Sequence, residues 1–364
     1  MVVKVKHESD VHTIINVQLP TTNLGTPLIL ILTKGTKTNV YGDTDTLAED
    51  YDETTNVYKQ ASHIWEVSQY TAPIEVVGCS DAVLHNLGDV SVATDGTVTA
   101  SDVIVPGIIT GVKNHLYDGV LYVLLDDVFT SEEVQQLSDF LYDQQRLMLI
   151  AQVRTAEELQ TLQKHVAAYQ TTKSVLTNTA GFVVPEGNFA IDNAAAYAAA
   201  NWPVDWQHIG GLPEFDPDIN LTVDDFETIR ELRGLAVLNK SGDNMVLQGK
   251  ALANNYIDQF VHVNLVGDGI ENGLQKKLNH TNFPNYNDDT IADFEQTILA
   301  VTDDFVSKGV LDKLGDGKSA HVTIPKRANV SQSDVNNRKL KNVSVQVKIA
   351  DDIDGIELTL NVTL

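Results

Sequence analysis

Between Val120 and Gln170 the chain alternates twice between a short apolar run and an amphipathic helix pattern. No other feature narrows the available folds as much. The runs are "VLYVLLDD" (120–127) and "LMLIAQV" (147–153). Each is short and bounded by polar residues, so each reads as a buried strand. Each is followed by a Thr with a Glu three residues on, Thr130 with Glu133 and Thr155 with Glu158, the capping-box signature of a helix start. Val134, Leu137 and Leu141 make the first helix's apolar stripe. Upstream, "PLILILTKG" (27–35) and "PIEVVG" (73–78) are strands around "ETTNVYKQASHIWEVSQY" (53–70), where Val57, Ala61, Ile64 and Trp65 share a helical face. Strands and helices in alternation with short loops predict an α/β fold, a parallel or mixed sheet with helices on its faces. "DVSVATDGTVTASD" adds a hairpin around Asp95-Gly96.

The texture changes near residue 186. "IDNAAAYAAANWP" is an Ala-rich helix stopped by Pro203, and "VDWQHIGGLPEFDPDIN" reads as a connector. "LTVDDFETIRELRG" is a helix with a Thr222 cap and a Gly234 stop. Two short strands flank Ser241-Gly242-Asp243. "KALANNYIDQFVHVNLVGDGIENGLQKKLNH" is a long helix in which Gly267-Asp268-Gly269 mark a place to kink or break. Ile291, Phe294, Ile298, Val301 and Phe305 then form one continuous stripe on a further helix. "AHVTIPK" and a polar loop lead to two closing strands. The expected division is an N-terminal arm at 1–24, an α/β domain at 25–200, a second α/β domain at 201–325 and a C-terminal β arm at 326–364.

Net charge is −25, from 50 acidic against 25 basic residues. Such a surface repels nucleic acid and anionic membranes, so neither is an expected partner. No apolar run approaches the roughly 20 residues of a membrane span, and "MVVKVKHESD" lacks a signal-peptide core. The one cysteine, Cys79, excludes an internal disulfide and reads as a buried, inert thiol.

The sequence carries no convincing active site. "GDGIENG" (267–273) misses the dinucleotide-binding spacing. "DDIDG" (351–355) and "FDPDIN" (215–220) lack the closing Glu of a calcium loop. His262 has no second histidine at ligand spacing, and no GxSxG elbow is present. Asp126 and Asp127, ending a strand, are the best catalytic pair, for an α/β enzyme; capping the next turn is the structural alternative. No cofactor, metal or catalytic residue is expected.

The chain ends inside a strand pattern, "VSVQVKIADDIDGIELTLNVTL" (343–364). Val343, Val345, Val347 and Ile349 alternate with polar residues, then Ile356, Leu358, Leu360, Val362 and Leu364 do so. Read as a hairpin about "ADDIDG", it is marginal alone in water. Burying six of these residues at about 1.5–3 kcal/mol each is worth roughly 9–18 kcal/mol as an upper bound. Two coverings satisfy the pattern. The strands join this chain's own sheet, or a strand of another copy pairs with their edge by β-augmentation. "MVVKVK" is a candidate donor, with Val2, Val3 and Val5 alternating and Pro20 and Gly25 separating it from the body. An arm added to another copy's sheet is a heterologous contact, and such contacts propagate into rings or helices. Upstream, Lys326, Arg327, Arg338, Lys339, Lys341 and Lys348 gather against Asp334 alone, as a docking surface for an acidic sister copy or as a solvated basic loop.

Several stretches resemble known proteins. "WPVDWQHIGGLPEFDPDINLTVDDFETIRELRGLAVLNKSGDNMVLQGK", "YIDQFVHVNLVGDGIENGLQKKL" and "SDVNNRKLKNVSVQVKI" are similar to the C-terminal part of contractile-tail sheath proteins of bacteriophages and related particles. "YGDTDTLAEDYDETTNVYKQASHIW" resembles their N-terminal half more weakly. Where many sheaths carry Trp-Gly before Arg-Thr, this chain has Gln248-Gly249-Lys250-Ala251, and Asn264 and Leu265 stand where basic residues often follow. The resemblance implies a discontinuous sheath-like core of mixed sheets flanked by helices, with N- and C-terminal β arms. It implies a non-enzymatic subunit of a virion tail, assembled in the host bacterial cytoplasm, in six-fold rings stacked helically around a tail tube. Baseplate and tail terminator proteins would be its other partners, and contraction would drive the tube through a cell envelope without a cofactor. Tube contact is expected at the "GDGIENGLQKK" end of the long helix, at Lys276 and Lys277. Another phage structural role, capsid or tube-related, and an enzyme using Asp126 or Asp127 are the alternatives.

Overall fold

The computed structural model describes residues 27–84, 90–92, 98–100, 103–170, 175–184, 190–213, 221–253 and 255–351. The described residues fall into two compact units, 27–264 and 265–351. Residues 201–264, which the composition change near 186 set apart, thus belong with the α/β sheet.

The first unit contains β1 (Ile29–Lys34), β2 (Thr38–Tyr41), α1 (Thr44–Ala48), α2 (Asn56–Glu66), β3 (Ile74–Cys79), β4 (Ala82–Leu84), β5 (Val90–Val92), β6 (Val98–Ala100), β7 (Val103–Val105) and α3 (Gly107–Lys113). There follow β8 (Tyr122–Leu125), α4 (Ser131–Gln144), β9 (Met148–Val153), α5 (Ala156–Gln170), β10 (Thr179–Val183), α6 (Ala190–Ala200), α7 (Val223–Glu231), β11 (Val237–Lys240) and β12 (Asp243–Val246). The helix α8 (Ile257–Asn279) begins in this unit.

Six strands form one sheet in the order β10-β9-β8-β1-β3-β2. All neighbours are parallel except β2, which runs antiparallel to β3 at the edge. The chain winds from β1 to β3 on one side and to β8, β9 and β10 on the other, a doubly wound arrangement. Both faces are covered, so these strands are continuous apolar runs without alternation. Leu30, Leu32, Val77, Val123, Leu125, Leu149 and Ala151 pack with Ile108 and Val112 of α3, Leu137 and Leu141 of α4, and Leu159, Leu162 and Val166 of α5. Ile29, Ile31, Ile74, Val76 and Leu124 point the other way and are fully buried, on the face that α6 covers with α2 packed beside it. The buried Trp206 sits edge-on to Tyr122 at 5.4 Å between ring centroids.

The capping residues act as expected. Thr130 and Glu133 form a reciprocal capping box, as do Thr222 and Asp225. At α5 the exchange differs: Thr155 accepts from Glu158 N–H, while the Glu158 carboxylate reaches back to Arg154 N–H at 2.7 Å. Cys79 is buried, which pushes its thiol up to about 12. Strands β5 and β6 pair as a hairpin; the expected turn at Asp95-Gly96 lies outside the described residues.

Gln60 of α2 donates to Leu125 O at 2.8 Å and to Asp192 Oδ1 of α6 at 3.3 Å. Asp192 is fully buried, and desolvation raises its carboxyl well above the usual carboxylate range. Its ionisation is harder in the folded state than in the unfolded chain. Its contribution is therefore complete below the unfolded value near 3.9 and is lost as pH rises through the raised folded value. Asp192→Asn keeps the acceptor for Gln60 and removes the charge. This variant is expected to unfold at a higher denaturant midpoint than wild type at pH 7, with the difference vanishing at pH 3.

The second unit contains the rest of α8, then α9 (Asp288–Ser307), β13 (Leu311–Asp312), β14 (His321–Thr323), α10 (Gln332–Asn336), β15 (Ser344–Gln346) and β16 (Lys348–Ile349). Helix α8 runs unbroken through Gly267-Asp268-Gly269. The glycines mark close packing instead of a break. A Cβ on Gly269 would stand 2.6 Å from Phe305 Cε2, and one on Gly273 would stand 3.0 Å from Val301 Cγ2. As the number rises along α8 it falls along α9, so the two helices run antiparallel. Gly269→Ala overpacks this contact and is expected to cost about 1–3 kcal/mol in denaturant unfolding.

Candidate assembly interface

The second unit ends in strands too short to support themselves. Helix α9 stops at Gly309, with φ +77°, and Val310 N–H returns to Phe305 O at 3.0 Å. Strand β13 follows directly and pairs antiparallel with β16, Leu311 opposite Ile349. Strand β14 pairs antiparallel with β15, Val322 opposite Val345. Among the described residues each sheet has two strands, so each strand has an outer edge. Leu311 is buried, but Val322, Val345, Val347 and Ile349 are half-buried and Val343 is 39% exposed. A two-stranded ribbon is marginal in water, and open edges are templates for another strand.

Segment 344–349 is therefore covered on one side by its own chain, through β13 and β14. The partner strands Leu311–Asp312 and His321–Thr323 went unread in the sequence because two or three residues show no periodicity. Ile356, Leu358, Leu360 and Val362, and Val2, Val3 and Val5, lie outside the described residues.

The basic run is partly neutralised within the unit. Lys341 pairs with Asp334 at 2.5 Å, and this hydrogen bond holds the Asp334 carboxyl below the usual carboxylate range. Lys348 pairs with Asp312 at 2.6 Å across the β13–β16 ribbon. Arg327 stacks over Tyr286 at 5.5 Å, and Tyr286 donates to Lys339 O at 3.1 Å. Lys326, Arg338 and Lys339 are exposed. Near the end of α8, Lys276 is exposed while Lys277 pairs with Asp293 at 3.0 Å. In the turn that follows, Phe283 is 74% exposed.

Asp126 and Asp127 occupy the carboxyl ends of β1 and β8, where doubly wound sheets place ligands. Both are engaged in holding strand ends together. Asp126 accepts from Thr33 Oγ1, its N–H donates to Leu32 O at 3.1 Å, and its carbonyl accepts from Asn56 Nδ2 at 3.0 Å. Desolvation raises its carboxyl pKa against that hydroxyl. Asp127, at φ +71°, pairs with Arg154, which also donates to Val184 O at 2.7 Å. The capping role fits this geometry.

Residues 248–252, where the sequence departs from the sheath pattern, are tied to the first unit. Gln248 donates to Gly234 O at 2.7 Å, and Leu252 N–H donates to Thr179 O at 2.9 Å. No described helix is long and apolar enough to cross a membrane.

No protein-family model and no curated protein matches the chain. Solved structures do. A chain of the anti-feeding prophage baseplate, a six-fold symmetrised cryo-EM structure, aligns over 100% of this chain and 99% of its own, with a TM-score of 0.65 at 11% identity. A chain of the PVC sheath complex, an extracellular contractile injection system in its contracted state, aligns over 99% and 98% with a TM-score of 0.61 at 12% identity. The sheath tail protein of Desulfitobacterium hafniense aligns over 84% and 91% with a TM-score of 0.50 at 8% identity. The chain has a mixed α/β fold shared with contractile sheath proteins.

Proposed function

We propose that this chain is the structural subunit of a contractile, phage-type tail sheath. Copies form six-fold rings stacked helically around a tail tube, bounded by baseplate and tail terminator proteins. Contraction drives the tube through a cell envelope, and the subunit itself is no enzyme. The observation that carries this proposal is the fold likeness to a contracted sheath complex over 99% of the chain. The half-buried ribbons of β13–β16 and β14–β15 support it, because they offer strand edges at the surface.

The arms must hold while the bodies slide. Strand addition suits this, since main-chain hydrogen bonds are many and directional. In this account Val2, Val3 and Val5 pair with a neighbour's segment 343–349 or 356–362, and the two strands bury the valines and Ile349 together. Like-charged bodies at −25 each resist close packing, and salt weakens that resistance. Lys276, the Lys277–Asp293 pair and Phe283 face the tube, with contacts polar enough to release. Negative-stain microscopy of purified protein, at low and at high salt, is expected to show rings, tubes or rods, more of them at high salt. Dispersed monomers under both conditions would remove the proposal.

A further inference from the structure

One group of side chains in the first unit belongs to neither the ribbons nor the strand-end carboxylates. Glu75 lies on β3, on the face covered by α3. The segment after α3 turns back over it: His115 N–H donates to Val112 O at 2.9 Å and Asp118 N–H to His115 O at 3.3 Å. These turns bring His115 Nδ1 to 3.1 Å from Glu75 Oε2 and 3.0 Å from Asp118 Oδ2. The Glu75 and His115 side chains are each 5% exposed, and Asp118 is 33% exposed. Among the described residues this is the group of His, Cys, Asp and Glu whose donor atoms converge tightly enough to hold a metal ion.

We propose that Glu75, His115 and Asp118 form a binding site for a borderline divalent transition metal of the zinc class. Three features favour a metal over a plain hydrogen-bonded cluster. First, a single imidazole nitrogen faces two carboxylates, and one N–H cannot serve both fully. A metal takes the nitrogen lone pair and one oxygen of each carboxylate together. Second, the spacing fits. Zinc bonds of about 2.0–2.1 Å at tetrahedral angles put neighbouring donor atoms about 3.3–3.4 Å apart, a few tenths of an ångström from the two His115 Nδ1 distances, and all three donor atoms lie within 4.8 Å of one another. Third, two carboxylates converge on one point, Glu75 buried and Asp118 one-third exposed, and a divalent ion can bind one oxygen of each at once. An N,O,O donor set of three suits zinc, while calcium and magnesium need more oxygens. The accessible side is that of Asp118, where a water would complete the coordination. Such an ion would clamp the segment after α3 to β3.

The test uses the full chain, stripped with EDTA and dialysed. Equilibrium dialysis against 10 μM Zn²⁺, with Co²⁺ absorption as the spectroscopic readout, compares wild type with Glu75→Gln, His115→Gln and Asp118→Asn. Wild type is expected to retain one more equivalent of Zn²⁺ than either Glu75→Gln or His115→Gln. It is also expected to show Co²⁺ visible bands that both variants lose. Asp118→Asn alters the accessible ligand, so it keeps the fold, and it should bind at least tenfold more weakly. Histidines elsewhere in the chain contribute equally to all four proteins. Equal retention by wild type and Asp118→Asn, or Co²⁺ bands unchanged by both Asp118→Asn and His115→Gln, would overturn the site and leave an imidazolium–carboxylate cluster.

Discussion

A chain lacking residues 1–19 is expected to stay folded and monomeric and to form no rings or tubes at any salt concentration. The described core of residues 27–264 runs through β1, β3, β8, β9 and β10 and the helices covering them, and the proposal has residues 1–19 serve a neighbouring copy instead. The deletion should therefore leave the midpoint of thermal unfolding within a few degrees of wild type. Assembly should respond in all-or-none fashion, because each lost contact recurs in every copy around a ring and along a stack. Circular dichroism and sedimentation velocity separate the two effects. If the deletion unfolds the protein, the arm belongs to the core of its own chain, and strand exchange loses its donor.

Trp206→Ala is expected to cost about 3–5 kcal/mol, lowering the unfolding midpoint by roughly 6–20 °C. The indole is fully buried, packs edge-on against Tyr122 of the central strand β8, and donates from Nε1 to the Tyr122 hydroxyl at 3.4 Å. Truncation leaves a cavity against a sheet that cannot collapse into it, and it strands a buried hydroxyl. The prediction discriminates between two views of residues 201–213. A connector would tolerate the change within about 0.5 kcal/mol, whereas a segment completing the α/β unit would not.

That segment illustrates where sequence patterning stops. Strands β1, β3, β8 and β9 were legible because both of their faces are buried and their residues are branched or large. Helices α4 and α7 were legible because Thr130 and Thr222 announce them. Strand β10, at one end of the sheet, went unread: "TAGFV" is small and unbranched at its centre. The reason is packing, since a Cβ on Gly181 would stand 2.6 Å from Leu159 Cδ1 of α5. Edge strand β2, with two exposed residues in four, offered as little signal. The connector around Trp206 is rich in Gly and Pro, yet Asp205, Trp206, Ile209 and Leu212 are buried; one 3-10 turn at Trp206–His208, closed by Ile209 N–H to Trp206 O, and the Val246 N–H bond to Ile209 O satisfy its backbone without a strand or α-helix.

The closing strands were legible by half. The alternation of Val343, Val345, Val347 and Ile349 predicted a strand needing cover. It could not name β13 and β14 as partial cover, since pairing between residues more than 20 apart leaves no local trace. The cluster of Glu75, His115 and Asp118 was invisible for the same reason: Glu75 is on a strand and the others follow a helix 30 residues on. Only the fold brings them within reach.

The claim on which the functional account depends is that strands pass between copies. A cryo-EM map of the assembled particle at side-chain resolution tests it directly. The account predicts a main-chain hydrogen-bond ladder running from residues 2–5 of one copy to the outer edge of 343–349 or 356–362 of a neighbour. A map in which both termini fold against their own body, with no ladder crossing between molecules, would contradict it.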